Sequence, residues 1–315
     1  MVEFIEVPFW KEGEEQMKIQ SLSIVVPNKE CINKCPFCVA RMVNSNVYEN
    51  KMSINDPHYD INVREYLKRL KFVADNGCQT IILTGTSEPQ QNKQFLATFA
   101  LLHQMIGSPF TNIEMQTTGM LLDRNCDYLR FLRNFVGVNT MAISLNSLNE
   151  EVNNEILGHD PKADNALNVK RLTGLLKEYD FNVRVCCNLT SEFNQGDIPY
   201  DNDFFDYLKT AYHADQVTFR KLYASDKDTP QGKWIAEHEF PYNDNDLLKS
   251  HLRCNYPIIG KTLYGANIWD VMGMSVIYDE DCMGKNPDAD VRKFLILRPN
   301  CHLYSQWDSK ASLVN

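Results

Sequence analysis

Ser21-Leu-Ser-Ile-Val-Val26-Pro-Asn-Lys-Glu-Cys31-Ile-Asn-Lys-Cys35-Pro-Phe-Cys38 is the stretch from which the rest of the chain is read. Its first six residues are apolar or β-branched and end at Pro27, the pattern of a short buried strand. The loop that follows places three cysteines in eight positions, C-x3-C-x2-C. Three thiolates on one short loop can ligate three irons of a [4Fe–4S] cluster and leave the fourth iron open to a ligand from elsewhere. A zinc knuckle, or three incidental buried cysteines, would use the same residues. Structural zinc sites usually draw on a second paired motif, and none of that kind follows. The spacing and the position after a strand favour the cluster.

Beyond the cysteines, strand-like and helix-like runs alternate. Residues 61–76 set Val63, Tyr66, Leu67, Leu70 and Val73 at helical spacing, and Gly77 is a stop signal. Strands are expected at 79–83, 112–116, 140–145, 182–189 and 215–222. Helices are expected at 92–106, 123–135, 148–157, 164–179 and 203–213. With the first strand this makes six βα units. Such alternation implies a parallel α/β sheet with right-handed crossovers and ligands at the C-terminal ends of the strands. The runs alone suit an incomplete barrel or a doubly wound sheet. Two segments break the rhythm: a polar, Asn-rich insertion at 39–60, and residues 223–315, which hold three of the four Trp.

Composition narrows the class. The chain has 315 residues, 43% of them hydrophobic, which suits a globular protein with a sizeable core. No apolar run approaches the ~18–20 residues of a membrane span, and the N-terminus lacks the pattern of a signal peptide. A net charge of −9 argues against a nucleic-acid or anionic-membrane partner. Ten cysteines in a chain this long, without a secretion signal, point to a reducing, cytoplasmic setting.

The C-x3-C-x2-C loop, with Phe37 before its last cysteine, resembles the signature of the radical SAM superfamily. That resemblance implies Cys31, Cys35 and Cys38 as ligands of a [4Fe–4S] cluster whose open iron chelates S-adenosylmethionine (SAM). Reductive cleavage would then give a 5′-deoxyadenosyl radical that takes hydrogen from a substrate. It also settles the architecture as a partial (βα)6 TIM-type barrel over residues 21–222. Residues 1–20 would form an N-terminal segment, and 223–315 an extension covering the barrel mouth. Further segments occur in the family's order. Gly85-Thr86-Ser87-Glu88 looks like the glycine-rich loop that meets the SAM amino group, with Thr86 and Ser87 departing from the usual glycine. Thr118 stands where relatives often carry Asn. Ser144, Asn146 and Ser147 resemble the fourth-strand segment of viperin and of the molybdenum-cofactor GTP cyclase, where a serine or acidic group contacts SAM. Gly158-His159 occupies the place of a Gly-Arg pair that holds the SAM carboxylate, and Lys162 or Lys170 could serve instead. Asn188 resembles the ribose-binding Asn of the fifth strand. Phe37 is expected to pack at the cluster mouth.

Other expectations are positional. Phe219, Lys221 and Tyr223 would lie near adenine or substrate, and Arg220, Lys221, Arg253 and Arg298 are candidate anchors for an anionic substrate. Cys78, Cys126, Cys186 and Cys187 read as packing residues; Cys254, Cys282 and Cys301 lie in the extension too far apart for a second cluster to be read from spacing. The implied partners are a small-molecule substrate, with a nucleotide preferred, and a reductant such as flavodoxin or ferredoxin. The alternatives are a peptide- or protein-modifying maturase or activase, and a non-catalytic metal-binding regulatory protein on the same fold.

Overall fold

Most alternate residues of the repeated strands are apolar, and these residues meet a layer of helices. The computed structural model describes residues 18–28, 30–42, 61–85, 87–194, 198–224, 227–262, 265–280, 291–292, 294–307 and 312–314. Six strands carry the repeat: β1 (Leu22–Val26), β2 (Thr80–Gly85), β3 (Asn112–Thr117), β4 (Thr140–Leu145), β5 (Asn182–Leu189) and β6 (Gln216–Lys221). The helices between them are α1 (Val63–Asp75), α2 (Lys93–Met105), α3 (Cys126–Arg130, continued by a π-helical turn Phe131–Val136), α4 (Glu150–Leu157) with α5 (Val169–Glu178), and α6 (Asn202–Ala211). Strand boundaries lie within about two residues of those expected from the apolar pattern.

The extension contributes α7 (Pro230–Glu237), α8 (Tyr242–Asn255), and strands β7 (Ile258–Lys261), β8 (Asn267–Val271), β9 (Met274–Asp279), β10 (Leu295–Leu297) and β11 (Leu303–Tyr304). The two helices were not legible from the apolar pattern. Only Leu248 and Leu252 of α8 and Gly232 of α7 are buried, so little apolar periodicity is needed to hold them. The sheet order is β11-β10-β1-β2-β3-β4-β5-β6-β9-β8-β7. From β10 through β1–β6 to β9 all neighbours are parallel; the outer pairs are antiparallel. The extension therefore lengthens the parallel sheet at both ends. The sheet does not close, as in a partial barrel rather than a complete one.

Most helices start at a capping Asn or Asp. The side chains of Asn62, Asn92, Asn125, Asn149, Asn168 and Asp201 each accept from a backbone N–H in the first turn. Such a cap contributes about 1 kcal/mol. It also orders loops on the side where the strands end.

The two faces of the sheet differ. On the helix side Ile81, Leu83, Met115, Ile143, Val183, Val185 and Val217 are fully or almost fully buried. The alternate residues on the other face include Thr84, Gln116, Ser144, Arg184, Gln216 and Arg220, which are only partly buried. Polar side chains that stay reachable by solvent on one face of a parallel sheet mark it as a face that is not packed as an apolar core.

Candidate active site

The cysteine loop begins where β1 ends and is tied to three other elements by hydrogen bonds. Gln91 brackets its start: the side-chain oxygen accepts from Ile32 N at 3.0 Å and the amide donates to Glu30 O at 2.9 Å. Lys34 N donates to Leu157 O, at the C-terminus of α4, at 2.7 Å. Arg41 donates to Asn33 O at 2.8 Å. Gly158, with φ +79°, ends α4 directly against the loop, and a Cβ there would stand 2.7 Å from Lys34 Cβ. Only glycine allows both that backbone conformation and that approach. Gly85 plays a related part at the end of β2, where an added Cβ would meet Val26 O at 2.6 Å.

The three thiols are half-buried and free of disulfides. Burial pushes the Cys35 thiol far up, with Cys38, Glu88 and Cys31 adding to the effect through their charges. Cys31 is raised as well, by burial first and then by Glu88 and Cys38, against the Asn33 N–H that it accepts at 3.4 Å. The three sulfurs thus share one electrostatic neighbourhood. Among the described residues no three His, Cys, Asp or Glu side chains converge closely enough to hold a single metal ion. A [4Fe–4S] cluster takes each thiolate on a different iron, so it does not require convergence on one point.

Glu88 is the centre of the site's hydrogen bonding. Its carboxyl is 5% exposed. One oxygen accepts from Asn33 Nδ2 at 2.8 Å and Thr118 N at 3.0 Å; the other accepts from Thr117 Oγ1 at 2.5 Å. Asn33 Nδ2 also reaches Thr118 Oγ1 at 3.1 Å, and Asn33 Oδ1 faces His159 Nε2 at 2.7 Å. With the Asn oxygen accepting, the His Nε2 is the donor. Burial raises the Glu88 pKa, opposed by its bonds to Thr117, Thr118 and Asn33. Burial, then Lys34, lowers that of His159. Glu88, Thr118 and His159 are therefore brought together with the cysteine loop, and both oxygens of Glu88 are engaged by the protein itself. Asn33 and Thr117 are the hubs that sequence reasoning missed. Asn33 stands at a variable position inside the motif, and its partners lie 55 to 126 residues away.

A second polar group closes the ends of β4 and β5. Asn188 Nδ2 donates to Asn146 Oδ1 at 2.8 Å, and Asn146 N donates to Asn153 Oδ1 at 2.9 Å. Ser147 Oγ accepts from Asn149 N at 3.2 Å and is buried in that turn. Ser144 lies one inward position below Asn146 and is half-buried. Phe37 meets Trp234 of α7 with ring centroids 5.6 Å apart, and Trp234 stacks on His238 at 4.0 Å. Thr86, expected in the glycine-rich loop, lies outside the described residues, as does Cys282 of the extension.

One positional expectation is corrected. Phe219 faces the helices and is fully buried among Phe204, Phe205 and Tyr278, because strand parity turns it away from the inner face. The same parity puts Cys186 on the inner face and leaves Cys187 in the core. Lys221 pairs with Glu239 at 3.6 Å, Lys170 with Glu150 at 3.9 Å, and Arg298 donates to Trp307 O at 2.9 Å. Cys254 is exposed and Cys301 is buried.

A model of the radical SAM superfamily matches residues 25–190, more than half of the chain, and spans both polar groups. The chain belongs to the radical SAM superfamily. Members use a [4Fe–4S] cluster and SAM. No curated protein matches the chain. Among solved structures it is similar to HydG, a maturase of the [FeFe]-hydrogenase, with a TM-score of 0.48 and 12% identity over 75% of this chain and 49% of that one. Methylornithine synthase (PylB) gives 0.45 and 16%, over 87% and 77% of the two chains. HydG from Carboxydothermus hydrogenoformans gives 0.40 and 15%, over 74% and 52%. The chain thus spans about half the length of either HydG chain. Among the described residues no helix is long and apolar enough to cross a membrane.

The residues present fit the cofactors of a radical SAM enzyme. Three thiols share the one loop that follows β1. Beside it Ser87 Oγ is buried with no hydrogen-bond partner among the described residues. A buried hydroxyl left this way is suited to a bound polar group.

Proposed function

We propose that the chain is a radical SAM enzyme that acts on a small molecule held on the inner face of its sheet, with Cys31, Cys35 and Cys38 as cluster ligands. The observation that carries this reading is the cysteine loop at the C-terminal ends of the strands, bound through Asn33 and Glu88 to the ends of β2 and β3. Cys31, Cys35 and Cys38 would hold the cluster, which, once reduced by an external electron donor, would supply the electron for reductive cleavage of SAM and hence the radical chemistry on the substrate. Glu88, Thr118 and His159 position the loop. Ser87, with the backbone of Gly85 and Glu88, lines the place for the SAM amino acid moiety, and Asn146, Ser147 and Asn188 line the neighbouring strand ends. Ser144 faces the substrate. In the extension, α7 shields the loop through Trp234 on Phe37, which excludes water from the radical chemistry. The thiols must lose their protons on loading, and burial opposes this at Cys31 and Cys35 in the cluster-free chain, so loading strengthens as pH rises.

Anaerobic reconstitution with iron and sulfide, followed by dithionite and SAM, tests the reading. The expected products are 5′-deoxyadenosine and methionine; a loaded chain that yields neither overturns it. Replacing Cys31, Cys35 and Cys38 by Ala should abolish the cluster absorbance while the cluster-free fold persists. Bound zinc without acid-labile sulfide would instead favour the metal-binding alternative.

A further inference from the structure

Arg184 is the third residue of β5, on the inner face. Its Nε donates to Gln216 Oε1 at 2.8 Å, and its NH1 donates to Glu114 Oε2. Gln216 is its register neighbour on β6, whereas Glu114 stands on β3, so the ion pair passes over β4. On β4 between them, Thr140 is in register with Glu114 and Ala142 with Arg184. The guanidinium is thereby held in one orientation. Glu114 is 1% exposed, but the Arg184 side chain keeps 27% of its surface, and its NH2 group has no acceptor among the described residues. Toward the strand ends on the same face follow Cys186 and Arg220. Asp279 of β9 stands in register with Arg220, so both acidic and basic side chains lie on this face.

A buried ion pair is not needed for stability, because apolar residues of similar volume serve as well or better. A pair kept for structure alone also has no reason to leave one edge of its arginine open to solvent on the inner face. A fixed guanidinium with a free N–H edge matches the paired oxygens of a carboxylate or phosphate. We propose that Arg184 anchors an anionic group of the substrate, with Glu114 and Gln216 as the residues that orient it. The substrate class is then a small molecule that carries a carboxylate or a phosphate. This inference rests on the reading of the inner face as the substrate cavity.

Ligand-detected NMR on the full-length, cluster-loaded chain under anaerobic conditions tests it. Two sets of probes are used: the L-amino acids and succinate against their amides, and nucleoside monophosphates against nucleosides. At least one anionic member should bind where its neutral counterpart does not, and which set responds separates carboxylate from phosphate. Arg184→Gln should weaken that binding at least about tenfold, with Arg184→Lys falling between. Because Arg184→Gln leaves Glu114 buried without its cation, Glu114→Gln/Arg184→Gln serves as a second variant that removes both charges. Equal binding of anionic and neutral probes by the wild type overturns the proposal, as does full anion binding by a folded Arg184 variant. If neither variant folds, the wild-type comparison of anion and neutral probe still decides. Failure of the broader reading shows separately, as a loaded wild-type chain that cannot cleave SAM.

Discussion

The two faces of β5 carry opposite chemistry only one residue apart. Val183, Val185, Cys187 and Leu189 point to the helices and are 0–2% exposed, while Arg184, Cys186 and Asn188 point to the inner face, where Arg184 stays partly exposed and Cys186 and Asn188 are buried. One face is an apolar core whose worth scales with buried area. The other is a polar surface whose value lies in where its groups are held. The lesson is that stability and chemistry are separable along a single strand. Substitutions on the two faces should therefore fail in different ways.

The largest contrast is expected between Phe219 and Gln116. Phe219→Ala removes a fully buried ring from a cluster of aromatics and should destabilise the chain by about 3–5 kcal/mol. Gln116→Ala, on the open face, loses one 3.3 Å hydrogen bond to Glu114 and should cost less than about 1 kcal/mol. Urea unfolding of both variants measures the difference, and comparable losses would break the distinction between faces.

Glu88 is the intermediate case, polar but enclosed. Glu88→Ala leaves Asn33 Nδ2 and Thr118 N without their shared acceptor and should destabilise by about 2–4 kcal/mol. Unlike Phe219→Ala, it should also lower cluster retention in a folded chain, read as iron bound per chain after desalting. Unchanged retention would mean that the loop is held without the Glu88 knot.

The smallest effect is a pH dependence on the helix side. His103 lies between Phe99 and Phe110, and its Nε2 accepts from Phe110 N at 3.2 Å, a role open only to the neutral ring. Burial lowers its pKa from the ordinary 6.5. A base with a depressed folded pKa contributes stability that is complete above its unfolded value and is lost as pH falls below it. Wild type should therefore lose stability relative to His103→Gln between about pH 6.5 and 5. A constant difference across that range would place the His103 charge elsewhere than in the core.

Much of this was legible in the chain. The C-x3-C-x2-C loop and the six alternating strands are local patterns of spacing and period, and the structure returns their positions with small shifts. Less legible were Asn33, an ordinary polar residue within the motif, and Phe219, assigned by nearness to a strand end although strand parity turns it outward. In the extension, α7 and α8 bury too few apolar residues to show a helical period.

The sequence by itself determined the cysteine spacing, the alternation of strand and helix, and the acidic character of the chain, because each depends on residues close together or on simple sums. Only the tertiary structure decided that the extension adds strands to both ends of the sheet, that Glu88 faces Asn33 rather than open space, and that Arg184 meets Glu114 across an intervening strand. Those contacts join residues 55 and 70 positions apart. Strand order and register choose such partners, and neither is written in any local run of residues.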